Sequence, residues 1–113
     1  MNRLSGFQRK YLRGLAHGLR PVVFVGQKGI TDSVSLSIDE ALDTHELIKL
    51  RFVDLKDKVQ KKRAEALITE RNNCEIVGRI GHVLVLFRPH SDPEKRKIAV
   101  PEKKAAGGNP GKI

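Results

Sequence analysis

Helical and strand periodicities alternate along this chain with little between them. After Ser5, the residues Leu4, Phe7, Tyr11, Leu15 and Leu19 recur at helical spacing, and Leu12 and Ala16 widen the apolar stripe. Gln8 stands three residues after Ser5, the spacing of a capping box. Arg9, Lys10, Arg13 and His17 fall largely off the stripe. Gly18 ends this predicted helix and Pro21 prevents its return. Val22–Val25 is a short, mostly β-branched run and predicts a buried strand. Thr31 or Asp32 can cap a second helix, in which Val34, Ile38 and Leu42 share a face with Ala41 beside them. Between Leu47 and Val53 the pattern changes to period two. Ile48, Leu50 and Phe52 point one way, Lys49 and Arg51 the other, as in a half-exposed strand.

Asp54 or Asp57 opens a third helix that reaches Arg71, with Val59, Ala66 and Leu67 as a modest stripe and Asn72-Asn73 at its exit. Cys74–Ile80 and Val83–Phe87 follow as strands joined by a tight turn at Gly81-His82. The order αβαβαββ predicts an α/β (α+β) domain with a four-stranded mixed sheet. The βαβ crossovers imply parallel pairing, and the final hairpin implies an antiparallel pair. A two-layer arrangement of sheet and helices is expected. From Pro89 the composition turns to Pro, Gly, Lys and Glu. Only Ile98 and Val100 offer much to bury, so residues 1–88 are read as the domain and 89–113 as a flexible basic tail.

At 113 residues the chain is one domain, large enough to bury a core without disulfides or metal. Its single cysteine, Cys74, excludes an intramolecular disulfide framework and a cysteine-based zinc cluster. That residue lies in an apolar alternation and reads as a small buried side chain. No apolar run is long enough to span a bilayer, and the N-terminus lacks the apolar stretch of a signal peptide. The expectation is a cytoplasmic protein without a membrane partner.

Charge changes the picture. Lys and Arg number 22 against 13 Asp and Glu, a formal net charge of +9. No acidic residue precedes Asp32, while Arg3, Arg9, Lys10, Arg13, Arg20 and Lys28 all do. So large and local an imbalance points to a polyanion, although a basic face also serves solubility. The first helix lacks Trp and needs its apolar side for a core, which favours nucleic acid over a lipid surface.

Within that basic region, Val25 is followed by Gly26-Gln27-Lys28-Gly29 and then by the second helix. Two glycines three apart let a phosphate backbone approach closely, and the N–H groups of the following helix favour an anion. This is how KH-like folds clamp single-stranded RNA. The same spacing recurs at Gly78–Gly81 and Gly108–Gly111, so spacing alone identifies nothing. Only the first instance sits between a strand and a helix, where the competing reading is a plain connecting turn. Lys49 and Arg51 project together from one strand and are further candidates, unless that face is merely solvated. The third helix carries Lys56, Lys58, Lys61, Lys62, Arg63 and Arg71, but Asp57, Glu65 and Glu70 intersperse them as on an ordinary charged helix.

Other chemistry finds little support. No phosphate-binding P-loop pattern occurs, and the four histidines lack metal-cluster spacing. Ser33, Ser35 and Ser37 lack a nucleophile-elbow context, and Asp54 and Asp57 are better explained as helix caps. Neither an enzyme, a cofactor, a metal nor a small-molecule substrate is expected. His45-Glu46 reads as a helix exit. Phe7, Phe24, Phe52 and Phe87 all occupy apolar positions, so recognition is expected to rest on backbone charge and shape rather than on aromatic stacking.

Several motifs together carry a resemblance. They are the basic first helix leading to Leu19-Arg20-Pro21, the loop Val25–Thr31, Ala41-Leu42 followed by His45–Leu50, and the closing Ile80–Arg88. In these the chain resembles the CRM domain (chloroplast RNA splicing and ribosome maturation), in its small stand-alone bacterial form. The resemblance implies an RNA-binding αβαβαββ domain, similar to the C-terminal domain of bacterial translation initiation factor three. It also implies that the glycine loop contacts RNA and that the protein associates with precursors of the large ribosomal subunit. Family members often carry Lys or Arg between the glycines, and Gln27-Lys28 keeps one cation. The expected RNA site is therefore Gly26, Gln27, Lys28 and Gly29, extended by Arg9, Lys10, Arg13, Arg20, Lys49 and Arg51, on a monomer. The alternatives are a binder of another structured RNA, such as an intron or a regulatory RNA, and a protein-interaction adaptor that binds no RNA.

Overall fold

Caps within a turn of each helix set where the helices begin. The computed structural model describes residues 4–102. The Ser5 hydroxyl accepts the Gln8 N–H at 3.2 Å, and Gln8 Oε1 accepts the Ser5 N–H at 2.9 Å, closing the capping box of α1 (Gly6–Ala16). After β1 (Pro21–Val25), Thr31 caps α2 (Asp32–His45) by accepting the Val34 N–H. β2 (Leu47–Phe52) leads to α3 (Lys58–Asn72), where Asp57 accepts the N–H groups of Val59 and Gln60 at 2.8 and 3.1 Å. Asn73 ends α3 in the left-handed region at φ 48°, where its short polar side chain is tolerated. β3 (Glu75–Ile80) and β4 (Val83–Phe87) form the hairpin, turning at Gly81 and His82.

The strand order is β1-β2-β4-β3, with β1 parallel to β2 and the other two pairs antiparallel. The mixed four-stranded sheet is the one expected, but the two-layer arrangement is not. Ile48, Leu50, Phe52, Leu84 and Leu86 pack with Ile38 and Leu42 of α2 and Ala64 and Ile68 of α3. On the opposite face Leu47, Val77, Val85 and Phe87 pack with Leu12 and Ala16 of α1. Central strand β4 is apolar on both faces, as the unbroken run Val83–Phe87 records, so helices cover both.

Two helices bury only part of the stripes expected. Leu12 and Ala16 of α1 are buried, while Phe7, Tyr11, Leu15 and Leu19 are each 40–44% exposed. The long apolar stripe is thus rotated roughly a quarter turn from the sheet. On α3 the buried residues are Ala64, Ile68 and Asn72; of the expected stripe Leu67 packs half-buried against the core, whereas Val59 and Ala66 are exposed.

The boundary at Arg88 also needs correction. The Glu46 carboxylate, 1% exposed, accepts backbone N–H groups from His90, Lys97 and Ile98. Ile98 and Val100 pack against the α1 core, and Gln8 donates to the Pro101 carbonyl. Residues 89–102 are therefore docked on the domain rather than forming a free tail. One buried carboxylate and two apolar side chains supply what the composition of the segment does not suggest. The remainder of the expected tail, residues 103–113, lies outside the described residues.

Candidate nucleic-acid interface

The glycine loop stands at the C-terminal end of β1, between the start of α2 and the first half of α3. The Gly29 N–H donates to the Gly26 carbonyl at 3.0 Å, closing a tight turn. Gly29 has φ 72°, a conformation that an L side chain adopts only with strain. Gly26 is different: a Cβ there would meet only the Val53 carbonyl, at 3.9 Å. Nothing in the fold demands glycine at position 26. Ile30 is buried and anchors the loop, while Gln27 and Lys28 project into solvent. Shallow concavities flank the turn, one towards Gln60 and Arg63 of α3, the other towards Thr31, Val34 and Asp54. The loop therefore offers a bare backbone, one free cation and an adjoining helix N-terminus.

The ten residues expected from the sequence do not form one patch. In the sheet, Glu75 lies level with Phe87 and Leu47 at one end, and Val25 lies level with Phe52 at the other. The Arg9 guanidinium pairs with Glu75, donating from Nε at 2.7 Å, at the far corner of the sheet from the loop. Arg13 donates to the Val77 carbonyl at 3.0 Å, and its alkyl chain lies over Gly78, where a Cβ would come within 2.8 Å of it. These two arginines are held by the fold. The Lys49 ammonium donates to the His17 carbonyl at 3.3 Å and ties β2 to the end of α1. Lys10, Arg20, Lys28 and Arg51 are exposed and make no ion pair among the described residues.

Acidic and thiol groups play structural parts. Burial opposes ionisation of Glu46, but the N–H groups of His90, Lys97 and Ile98 and the charge of Arg96 outweigh it and hold the carboxyl below its usual range. Burial likewise opposes ionisation of Asp39, and hydrogen bonds from Asn72 and Arg88 again prevail. Arg88 also bonds Asp43 and the Asn72 carbonyl, joining β4 to both α2 and α3. The Cys74 thiol is pushed up to about 12 by burial, which leaves it protonated and inert. No helix among the described residues is long and apolar enough to cross a membrane.

Sequence reasoning missed the exposure of Phe24. Phe52 and Phe87 are core residues, but Phe24 is 57% exposed. An all-apolar strand does not announce which face is buried. Parity sets Phe24 on the face opposite Val23 and Val25, but nothing in the sequence says which of the two faces is buried.

The architecture defines a class: an α+β domain with helices on both faces of a mixed sheet, whose first strand passes to a helix through an exposed glycine turn. The chain belongs to the CRS1/YhbY (CRM) domain family, whose model matches residues 4–88. It is 40% identical over 103 residues to "RNA-binding protein" of Haemophilus influenzae, covering 91% of this chain and 100% of that protein. It is 34% identical over 98 residues to "Probable RNA-binding protein YqeI" of Bacillus subtilis, covering 87% and 99% of the two chains. The solution structure of the Staphylococcus aureus protein SAV1595 superposes with a TM-score of 0.71 at 30% identity, covering 86% of this chain and 100% of that one. The family model ends at Arg88, whereas the packing of this chain continues to Pro101.

Proposed function

We propose that this chain is a non-enzymatic RNA-binding protein that associates, as a monomer, with precursors of the large ribosomal subunit and assists their assembly. One observation carries the RNA-binding part: an exposed glycine turn with an unpaired Lys28 at the start of α2, on a chain of formal charge +9. A phosphate can approach Gly26 without meeting a side chain, accept from the free N–H groups beyond it and neutralise Lys28. The names of the Haemophilus and Bacillus relatives support RNA as the partner. The ribosomal part rests on the resemblance to stand-alone CRM proteins.

Crosslinking in cells, followed by sequencing of the attached RNA, tests the proposal. Enrichment of large-subunit precursor RNA is the expected result. Enrichment of an intron or a regulatory RNA instead would keep the binding and replace the target. Binding to a protein that survives nuclease and high salt, with no RNA recovered, would favour an adaptor.

A further inference from the structure

Four residues, one from each strand, lie in register across the sheet at its loop end. Phe24 pairs with Arg51, Arg51 with Val83, and Val83 with Ile80. Residues paired in this way share a face. The face is the one that α1 covers, but α1 reaches only its other half. Its contacts run from Glu75 through Val77 and Gly78 to the His17 carbonyl above Lys49. The loop-end row is left open: Phe24 is 57% exposed, Ile80 is 60% exposed, and Arg51 is exposed without an ion pair among the described residues.

We propose that this row is a second part of the RNA site, in which Phe24 stacks on an unpaired base while Arg51 takes the neighbouring phosphate. The inference rests on the RNA-binding reading above and extends it from the backbone to the bases. Phe24 lies two residues before Gly26, about 7 Å along an extended strand. A strand of RNA whose phosphate sits on the loop thus brings an adjacent nucleotide over the ring. The charge of the row selects this occupant. The row holds one aromatic ring, one unpaired guanidinium and no carboxylate, which matches a π-face joined to an anion. A duplex keeps its bases stacked on each other and offers the ring nothing, so the site takes single-stranded or looped RNA.

Binding of a short, labelled, single-stranded RNA to the full chain, measured over a range of salt, tests this. Phe24→Ala removes an exposed ring and should leave the melting temperature unchanged. Its affinity should fall about tenfold, within the range for loss of one base–aromatic stack, with the salt slope unaltered. Phe24→Trp should restore binding, and wild type and Phe24→Ala should bind equally to the same RNA made abasic. Arg51→Ala should instead reduce the slope by about one. Equal affinity of wild type and Phe24→Ala for the intact RNA would overturn the stacking role and leave the loop reading standing. A wild type that binds no single-stranded RNA even at low salt would overturn both. A wild-type dimer in sedimentation that Phe24→Ala converts to monomer would assign the row to self-association and overturn the inference.

Discussion

Glu46 Oε1 accepts the backbone N–H of Lys97 at 2.7 Å, across 51 residues of chain. The same oxygen accepts the Ile98 N–H at 2.9 Å, and Oε2 accepts that of His90 at 2.7 Å. Glu46 itself sits at the exit of α2 with φ 64°. A single carboxylate thus pins the segment after β4 over the α1 side of the sheet, where Ile98 and Val100 complete the core around Leu12 and Phe87. Three backbone N–H groups of that segment, those of His90, Lys97 and Ile98, converge on it.

Truncation after Arg88 should therefore lower the melting temperature clearly, because it exposes that core and strips Glu46 of its donors. In the full chain, Glu46→Ala should cost about 3 kcal/mol, since buried donors are left unpaired. Glu46→Gln should cost less, because the amide keeps one accepting oxygen. Chemical denaturation of the three variants beside wild type measures this. A truncated protein with wild-type stability would show that the docked segment contributes nothing to folding.

Acid should destabilise the protein through the same residue. In the native state the carboxyls of Glu46 and Asp39 are held below their usual range. Their contribution to stability is complete above the unfolded values, about 4.3 for Glu and 3.9 for Asp. As pH falls below these values the unfolded chain binds protons that the native protein does not, so stability drops until the native carboxyls protonate as well. Thermal melts should be level from pH 7 to about 5 and then decline. Glu46→Gln, already lower at neutral pH, should decline less steeply.

At the glycine loop, Lys28→Glu should weaken RNA binding strongly with the fold unchanged, because it reverses an exposed charge where phosphate is expected. The two glycines should separate structure from recognition. Gly29→Ala forces a side chain into the left-handed region and should cost about 1 kcal/mol of stability. Gly26→Ala meets only an ordinary contact with the Val53 carbonyl, so its effect should appear in RNA affinity and not in melting. Loss of stability in Gly26→Ala without loss of affinity would remove that glycine from the interface.

Salt should distinguish the free cations from the bound ones. Log affinity should fall linearly with log salt, and Lys10→Ala, Arg20→Ala or Lys28→Ala should each reduce the slope by up to about one. Arg9 and Arg13 are occupied by Glu75 and the Val77 carbonyl. Their joint replacement by Ala should lower stability while changing the slope little. A flattened slope in that double variant would return both arginines to the RNA surface.

The sequence by itself determined whatever depends on neighbours within a turn or along one strand. The Ser5–Gln8 box, the Gly81-His82 hairpin, the alternation of Ile48, Leu50 and Phe52, and the caps of α2 and α3 to within a choice of two residues each are all of this kind. Each is set by hydrogen bonds or side-chain parity a few residues apart, so composition and spacing suffice to read it. Tertiary structure decided which apolar face becomes interior. In α1 several apolar rows competed, and the sheet took Leu12 and Ala16 rather than the longer stripe. In β1 an unbroken apolar run left parity unassigned, and packing under α2 turned Phe24 outward. Partners distant in sequence were decided the same way: Arg9 with Glu75, Lys49 with the His17 carbonyl, and Glu46 with the segment after β4. Glu46 bonds as it does because burial leaves its charge with no water to meet, and Arg9 and Lys49 find their partners because the packing of α1 on the sheet brings them within reach, conditions that exist only once the chain has folded.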